Sequence, residues 1–211
     1  MKNMLILAVA TLVLAAGCNG KESIKYPEKQ PRPKAERIFE RRGVITTHGR
    51  PAVLLGPEIR VGDRAPNFTT IDRNFMKTTL KDFDKKVLLI FSLPSLDTQV
   101  CKTETVRFNK QAARMPEGVA VIAISNDLPF TQSRFCSTLG DIEIEVLSDA
   151  VTHDFGRKYS VLIKDMGLLA RAVFVVNREG KIVYVQIVPE ISKEPDYEAA
   201  LEAARDAAQK K

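Results

Sequence analysis

Val87-Leu88-Leu89-Ile90-Phe91-Ser92-Leu93-Pro94-Ser95-Leu96-Asp97-Thr98-Gln99-Val100-Cys101 holds a strand, a stop, a helix start and a cysteine in one short stretch. Val87–Phe91 is a continuous apolar run of strand length, as suits the interior of a sheet covered on both faces. Pro94 ends it, and Asp97 and Thr98 are residue types that cap helix N-termini. From Gln99 onward, Val100, Val106 and Phe108 stand among charged and polar neighbours, which predicts an amphipathic helix to about Arg114. Cys101 then falls in the first turn, where unpaired backbone N–H groups and the positive helix end favour a thiolate. The thiolate is the nucleophilic form, and an ordinary cysteine is only a few per cent ionised at neutral pH.

Working outward, Val119–Ile124 is a second continuous apolar strand, and a helix is predicted to start near Leu128-Pro129, with proline tolerated in its first turn. That helix carries Phe135 and Cys136 toward its C-terminal end. Glu143–Leu147 reads as a short strand and Asp154–Tyr159 as a short helix. Ala170–Val176, the turn Asn177-Arg178-Glu179-Gly180 and Lys181–Val188 form a hairpin, and Tyr197–Gln209 a closing helix. Upstream, Val44–Thr47 and Ala52–Leu55 flank His48-Gly49-Arg50-Pro51 as a β-hairpin, followed by a loop and a short strand at Asn67–Thr70. Strands alternating with helices, then a hairpin and a final helix, predict an α/β sandwich.

The N-terminus has a different character. Lys2 precedes an apolar run, Met4–Ala16, too short to span a bilayer but of the length of a signal-peptide core. It closes in Leu14-Ala15-Ala16-Gly17-Cys18, which resembles the lipobox of bacterial lipoproteins, with Ala15 where an aliphatic residue usually stands. The resemblance implies a lipidated Cys18; an ordinary cleaved secretory peptide is the plainer alternative. Pro27, Pro31 and Pro33 among Lys21, Lys25, Lys29, Arg32 and Lys34 then predict an extended tether. The expected organisation is a signal segment at 1–17, lipidated cysteine and basic tether at 18–40, and one domain at 41–211.

The net charge of +6, from 32 basic and 26 acidic residues, includes the tether. Along the domain the two signs are interspersed without aromatic interleaving, the pattern of a solvated surface and not of a nucleic-acid-binding face. Three cysteines, one taken by the lipobox, leave Cys101 and Cys136. There is no Cys-x-x-Cys, and His48 and His153 have no metal-ligand spacing.

The spacing Pro94-x-x-x-Thr98-x-x-Cys101 resembles the active-site signature of peroxiredoxins. Ser125-Asn126-Asp127-Leu128-Pro129-Phe130 with Ser133-Arg134-Phe135-Cys136 is similar to the second-cysteine region of bacterial thiol peroxidases, the atypical two-cysteine branch. Ala170-Arg171-Ala172-Val173 and Glu194-Pro195-Asp196-Tyr197-Glu198 are further family-like segments in the expected order, so the resemblance covers roughly residues 43–205. It implies a thioredoxin-like peroxiredoxin sandwich with an N-terminal β-hairpin, acting without metal, haem or flavin. Leu93 stands where an aromatic residue often precedes the motif's proline, and Gln99 where a small residue or proline is common.

By the same resemblance, Cys101 would be the peroxidatic nucleophile, attacking a hydroperoxide to give a sulfenic acid. Thr98 would place its hydroxyl between sulfur and peroxide, and Pro94 would wall off the sulfur. Arg171 would hold its charge against the sulfur and the peroxide oxygens, although an arginine in an apolar strand could equally pair with a carboxylate. Cys136 would be the resolving thiol, forming a disulfide with Cys101 after partial unravelling of one or both helices. A thioredoxin-like donor would then reduce that disulfide. A homodimer, export and attachment to a bacterial membrane complete the expectation. Two other readings stay open: a lipid-anchored binding module with a static Cys101–Cys136 bridge, and a thiol–disulfide exchange or peroxide-sensing protein.

Overall fold

A computed structural model of the chain describes residues 39–210. The signal segment, Cys18 and nearly all of the tether lie outside these described residues. The chain runs through β1 (Glu40–Thr47), β2 (Arg50–Leu55), β3 (Thr69–Ile71), β4 (Lys77–Thr79), a 3-10 turn (Leu80–Phe83) and β5 (Val87–Ser92). It continues through α1 (Gln99–Ala112), β6 (Val119–Ser125), α2 (Pro129–Cys136), β7 (Glu145–Ser148) and α3 (Asp154–Lys158). The last elements are β8 (Leu162–Ile163), β9 (Ala172–Val176), β10 (Ile182–Ile187) and α4 (Tyr197–Gln209).

The apolar run that ends at Phe91 sits at the centre of a seven-stranded sheet of order β10-β9-β5-β6-β7-β3-β4. β5 pairs parallel with β6 and antiparallel with β9. Its side chains alternate between two apolar layers, as the period of two requires. Val87, Leu89 and Phe91 join α1, α2 and α4, whereas Leu88 and Ile90 join Phe68, Phe155, Tyr159 and Phe174 on the other face. Each such side chain, fully buried, stabilises the fold by roughly 1.5–3 kcal/mol. This two-sided burial explains why β5 reads as unbroken apolar sequence. The whole is the mixed α/β, thioredoxin-like sandwich expected.

The predicted N-terminal hairpin is present, but its strands are longer than the sequence suggests. Only His48 and Gly49, both at positive φ, turn the chain, so Arg50 and Pro51 belong to β2. The hairpin forms a small separate sheet with β8, through Leu54↔Ile163 and Leu55↔Leu162. At its end Gly56 has φ +121°, and a Cβ there would lie 1.8 Å from the Arg157 carbonyl, so only glycine fits.

Strands β4 and β8 are not anticipated from sequence. β4 is Lys77-Thr78-Thr79, recruited by pairing with β3, and β8 is two residues long. Short strands of this kind form because a neighbour offers a ladder, and they carry no periodic signal of their own. Helix α1 also faces differently from the expectation. Its buried residues are Cys101, Glu104, Thr105, Phe108 and Asn109, while Val100 and Val106 are only half-buried. The rings of Phe108 and Phe91 sit 4.5 Å apart, and Tyr197 of α4 packs on Phe108 at 5.1 Å. These contacts fix the face of α1 that carries Cys101.

Candidate active site

The turn between β5 and α1 is built from short-range polar bonds. Pro94 is buried in it and offers no N–H. The Thr98 amide donates to the Ser95 carbonyl (3.1 Å), and the Thr98 carbonyl accepts from Lys102 to begin the helix (3.0 Å). Thr98 is the N-cap, as expected, but its hydroxyl makes no cap bond and donates instead to the Ser95 carbonyl (3.1 Å). It forms no hydrogen bond to the Cys101 sulfur. Gln99 is exposed at the first helical position, and Leu93 is buried beneath the turn.

Cys101 is fully buried in the first turn of α1. The antiparallel register of β9 on β5 brings Arg171 to it. Ser92, the last residue of β5, pairs with Ala172, and the Ser92 hydroxyl donates to the Ala170 carbonyl (2.8 Å). Arg171 lies between those two anchors, immediately before β9. Its Nη2 donates to Cys101 Sγ at 3.3 Å, and both Nη2 and Nε donate to the Ile191 carbonyl at 3.1 and 3.3 Å. Its Nη1 is paired with Glu104. The structure thus places Arg171 against both the Cys101 sulfur and a carboxylate, one fork of donors reaching the two together. A guanidinium fits this geometry because it presents several donors in one plane and stays charged when buried.

Glu104 is the residue that sequence reasoning missed. A glutamate in a helix rich in Lys and Arg reads as part of a solvated face, yet it is completely buried. The available signal was its spacing, since residues three apart share a helix face and Cys101 faces inward. Burial pushes its carboxyl up to about 8, against the pull of Arg171. Its Oε1 has no hydrogen-bond partner among the described residues, which a neutral carboxyl tolerates better than an ionised one. Burial by itself disfavours the Arg171 charge, but Glu104 and Cys101 together hold its pKa above the ordinary value.

This pair predicts a pH dependence of stability. A carboxyl raised from 4.5 to about 8 retains its proton in the fold after the unfolded chain has released it. The contribution is complete below about 4.5 and is lost as pH rises to about 8. Asp149, pushed up to about 6 by burial, acts in the same sense at lower pH. Between pH 6 and 8 the Glu104 contribution amounts to about 2 kcal/mol at ~1.4 kcal/mol per unit. Denaturant unfolding should show wild type losing stability over that range, and Glu104→Gln should flatten the slope. Equal slopes in the two proteins would remove Glu104 as the cause.

Cys136 is fully buried at the end of α2, in the same apolar layer as Cys101, and both are free thiols. Burial pushes its thiol up, and the guanidinium of Arg73 offsets part of that rise. Asp127 ties the two cysteine segments together. It accepts from Ser95 Oγ (2.7 Å) and the Leu96 amide (2.8 Å) before α1, and from Ser125 Oγ (2.8 Å) at the end of β6. Arg134 of α2 also reaches Asp97 at 3.5 Å, an exposed pair that contributes little.

A buried sulfur at a helix N-terminus, facing a fixed guanidinium, is equipped for nucleophilic attack on a small electrophile that gains negative charge. The sequence matches the Redoxin family over residues 60–201. It is 47% identical to a thiol peroxidase of Listeria innocua over 163 residues, covering 77% of this chain and 98% of the relative. It is 44% identical to a thiol peroxidase of Bacillus subtilis over 161 residues, covering 76% of this chain and 96% of that one. The crystal structure of a peroxiredoxin-like protein from Aquifex aeolicus superposes with a TM-score of 0.73 at 42% identity, over 77% of this chain and 96% of the other. With the sulfur and its arginine placed as described, the chain belongs to the bacterial thiol peroxidase family of peroxiredoxin-type enzymes.

Proposed function

We propose that this chain is an exported, lipid-anchored thiol peroxidase that cycles through an intramolecular disulfide. The observation that carries the peroxidase chemistry is the 3.3 Å approach of Arg171 Nη2 to the buried Cys101 sulfur. The thiolate attacks the nearer oxygen of a hydroperoxide; the O–O bond breaks, a sulfenic acid forms, and water or an alcohol leaves once protonated. Arg171 stabilises charge as it moves from sulfur to the departing oxygen. Rotation about one side-chain bond releases the Thr98 hydroxyl from Ser95 and lets it bridge sulfur and peroxide.

Cys136 then attacks the Cys101 sulfenic acid, giving a disulfide and water. A disulfide needs Cα atoms within about 7 Å, and the two cysteines sit on different helices, so the cycle includes a partial opening of α2 or of the start of α1. A thioredoxin-like dithiol protein returns the pair to thiols. Upstream, Cys18 carries the lipid, residues 18–40 serve as tether, and the domain works as a homodimer outside the cytoplasm. Hydrogen peroxide and alkyl hydroperoxides are the substrates.

The test is one equivalent of hydrogen peroxide added to the reduced chain, with rapid quenching, intact mass and thiol mapping. The expected product has lost two hydrogens and carries a Cys101–Cys136 linkage. Thiols that survive, or that oxidise at the rate of free cysteine, would sink the reading.

A further inference from the structure

Cys101 and Cys136 stand on separate helices, yet an unbroken line of hydrogen bonds joins the turn before one to the helix that carries the other. The line starts on α2 with Gln132, fully buried one turn before Cys136. Its Nε2 donates to the Leu147 carbonyl of β7 (2.9 Å) and to Ser125 Oγ at the end of β6 (3.2 Å). Ser125 Oγ donates onward to Asp127 Oδ2 (2.8 Å). Asp127 also receives the Leu96 amide on Oδ2 (2.8 Å) and Ser95 Oγ on Oδ1 (2.7 Å). Ser95 ends the line, because its carbonyl accepts both the amide and the hydroxyl of Thr98, each at 3.1 Å.

We propose that Asp127 is a positioning residue for peroxide reduction: its carboxylate holds the turn at 95–98, from which Thr98 and the start of α1 hang, and does so fully only while Gln132 keeps α2 closed. The inference rests on the peroxidase cycle proposed above. When α2 opens to bring Cys136 to the sulfenic acid, Gln132 leaves Ser125. The carboxylate then loses the donor that sets its rotamer, and the turn slackens with it. Peroxide reduction belongs to the closed form and disulfide formation to the open one, with Asp127 passing the change between them.

The construction of the line supports this role. Asp127 enters no salt bridge among the described residues, so its charge serves these neutral donors alone. Hydrogen bonds that end on a charge are the stronger kind. Its main chain is anchored separately, since Ser148 Oγ of β7 donates to the Asp127 carbonyl (2.6 Å). The carboxylate is thus aimed from the ends of β6 and β7, which do not move with either helix. Gln132 occupies an acceptor site of the Ser125 hydroxyl and leaves the hydroxyl hydrogen for Asp127. The Gln132 tie is also made to be broken. Its Oε1 has no hydrogen-bond partner among the described residues, so opening α2 offers that oxygen water in exchange for the two bonds lost.

The test times two steps separately in the full reduced chain after a hydrogen peroxide pulse: loss of the Cys101 thiol, and conversion of its sulfenic acid to disulfide. Quenched samples are labelled for sulfenic acid and mapped by mass. Asp127→Ala should slow Cys101 oxidation about tenfold, the scale for a slightly misplaced reacting group, and should not slow disulfide formation. Asp127→Asn keeps an acceptor for Leu96 and Ser125 and can turn its NH₂ to Ser95 Oγ, so it should return most of the rate. Gln132→Met touches no atom of the turn, yet it should slow oxidation about threefold, and this slowing should vanish when Asp127 is already alanine. Ser95→Ala, which removes one bond to the carboxylate, is the second variant should Asp127→Ala fold poorly; it too should slow oxidation alone. Wild-type oxidation rates in both overturn the proposal. Equal slowing of the two steps also overturns it, because a general loosening of the fold would do that. Additive effects of Gln132→Met and Asp127→Ala overturn the link through Asp127. A wild type whose Cys101 stays a thiol overturns the peroxidase reading itself, and is told apart because the whole line is intact in it.

Discussion

Cys101→Ser leaves a folded protein that no longer turns over hydroperoxide. The substitution removes one sulfur from a site with no exposed surface and puts in its place a hydroxyl that can accept from Arg171 Nη2. No buried donor is orphaned, so the loss of stability should be small. The chemical loss is large, because a serine hydroxyl keeps its proton at neutral pH and an oxygen cannot be carried through a sulfenic acid. Removal of a covalent nucleophile elsewhere lowers turnover by factors on the order of 10⁴ or more, and the same scale is expected here. Peroxide consumption coupled to a dithiol protein measures it. Retained turnover would mean that another group is the nucleophile.

Arg171→Met should lower the rate constant for Cys101 oxidation by about 10² to 10³, the scale for losing one fixed donor to developing charge. The guanidinium also pairs with buried Glu104, and breaking a buried pair costs about 3–5 kcal/mol when the remaining charge is stranded. Glu104, raised to about 8, already holds its proton at neutral pH and so leaves little charge stranded. The stability loss should therefore grow as pH rises past 8. Double replacement, Arg171→Met with Glu104→Gln, should recover stability and leave the oxidation rate low. Recovery of the rate as well would show that Arg171 acts only by holding the fold. Arg171→Lys should rescue little, because one ammonium cannot serve the sulfur, Glu104 and the Ile191 carbonyl from a common plane.

The site was legible where residues announce their chemistry locally. A proline, a cap and a cysteine after an apolar run give β5, α1 and the place of Cys101 without any long-range knowledge. Arg171 was legible through the resemblance of its neighbours, but the register that brings it to the sulfur is a property of the paired β5 and β9. Glu104 was not legible, because it looks like an ordinary surface charge. Its place arises from which face of α1 turns inward. Short strands were lost for a related reason: Lys77–Thr79 and Leu162–Ile163 become strands only because β3 and β2 present open edges to them.

A sulfur without exposed surface also imposes an order on encounters. In the reduced fold, Cys101 is closed to any second protein, and a small oxidant is the sole kind of visitor that can arrive by minor fluctuations of the turn at 93–98. In the proposed cycle, a protein donor would meet the pair only after the helices had opened to join the two cysteines. Oxidation would then write its own invitation to the reductant, and the resting fold would be hidden from other protein thiols and disulfides until peroxide had come.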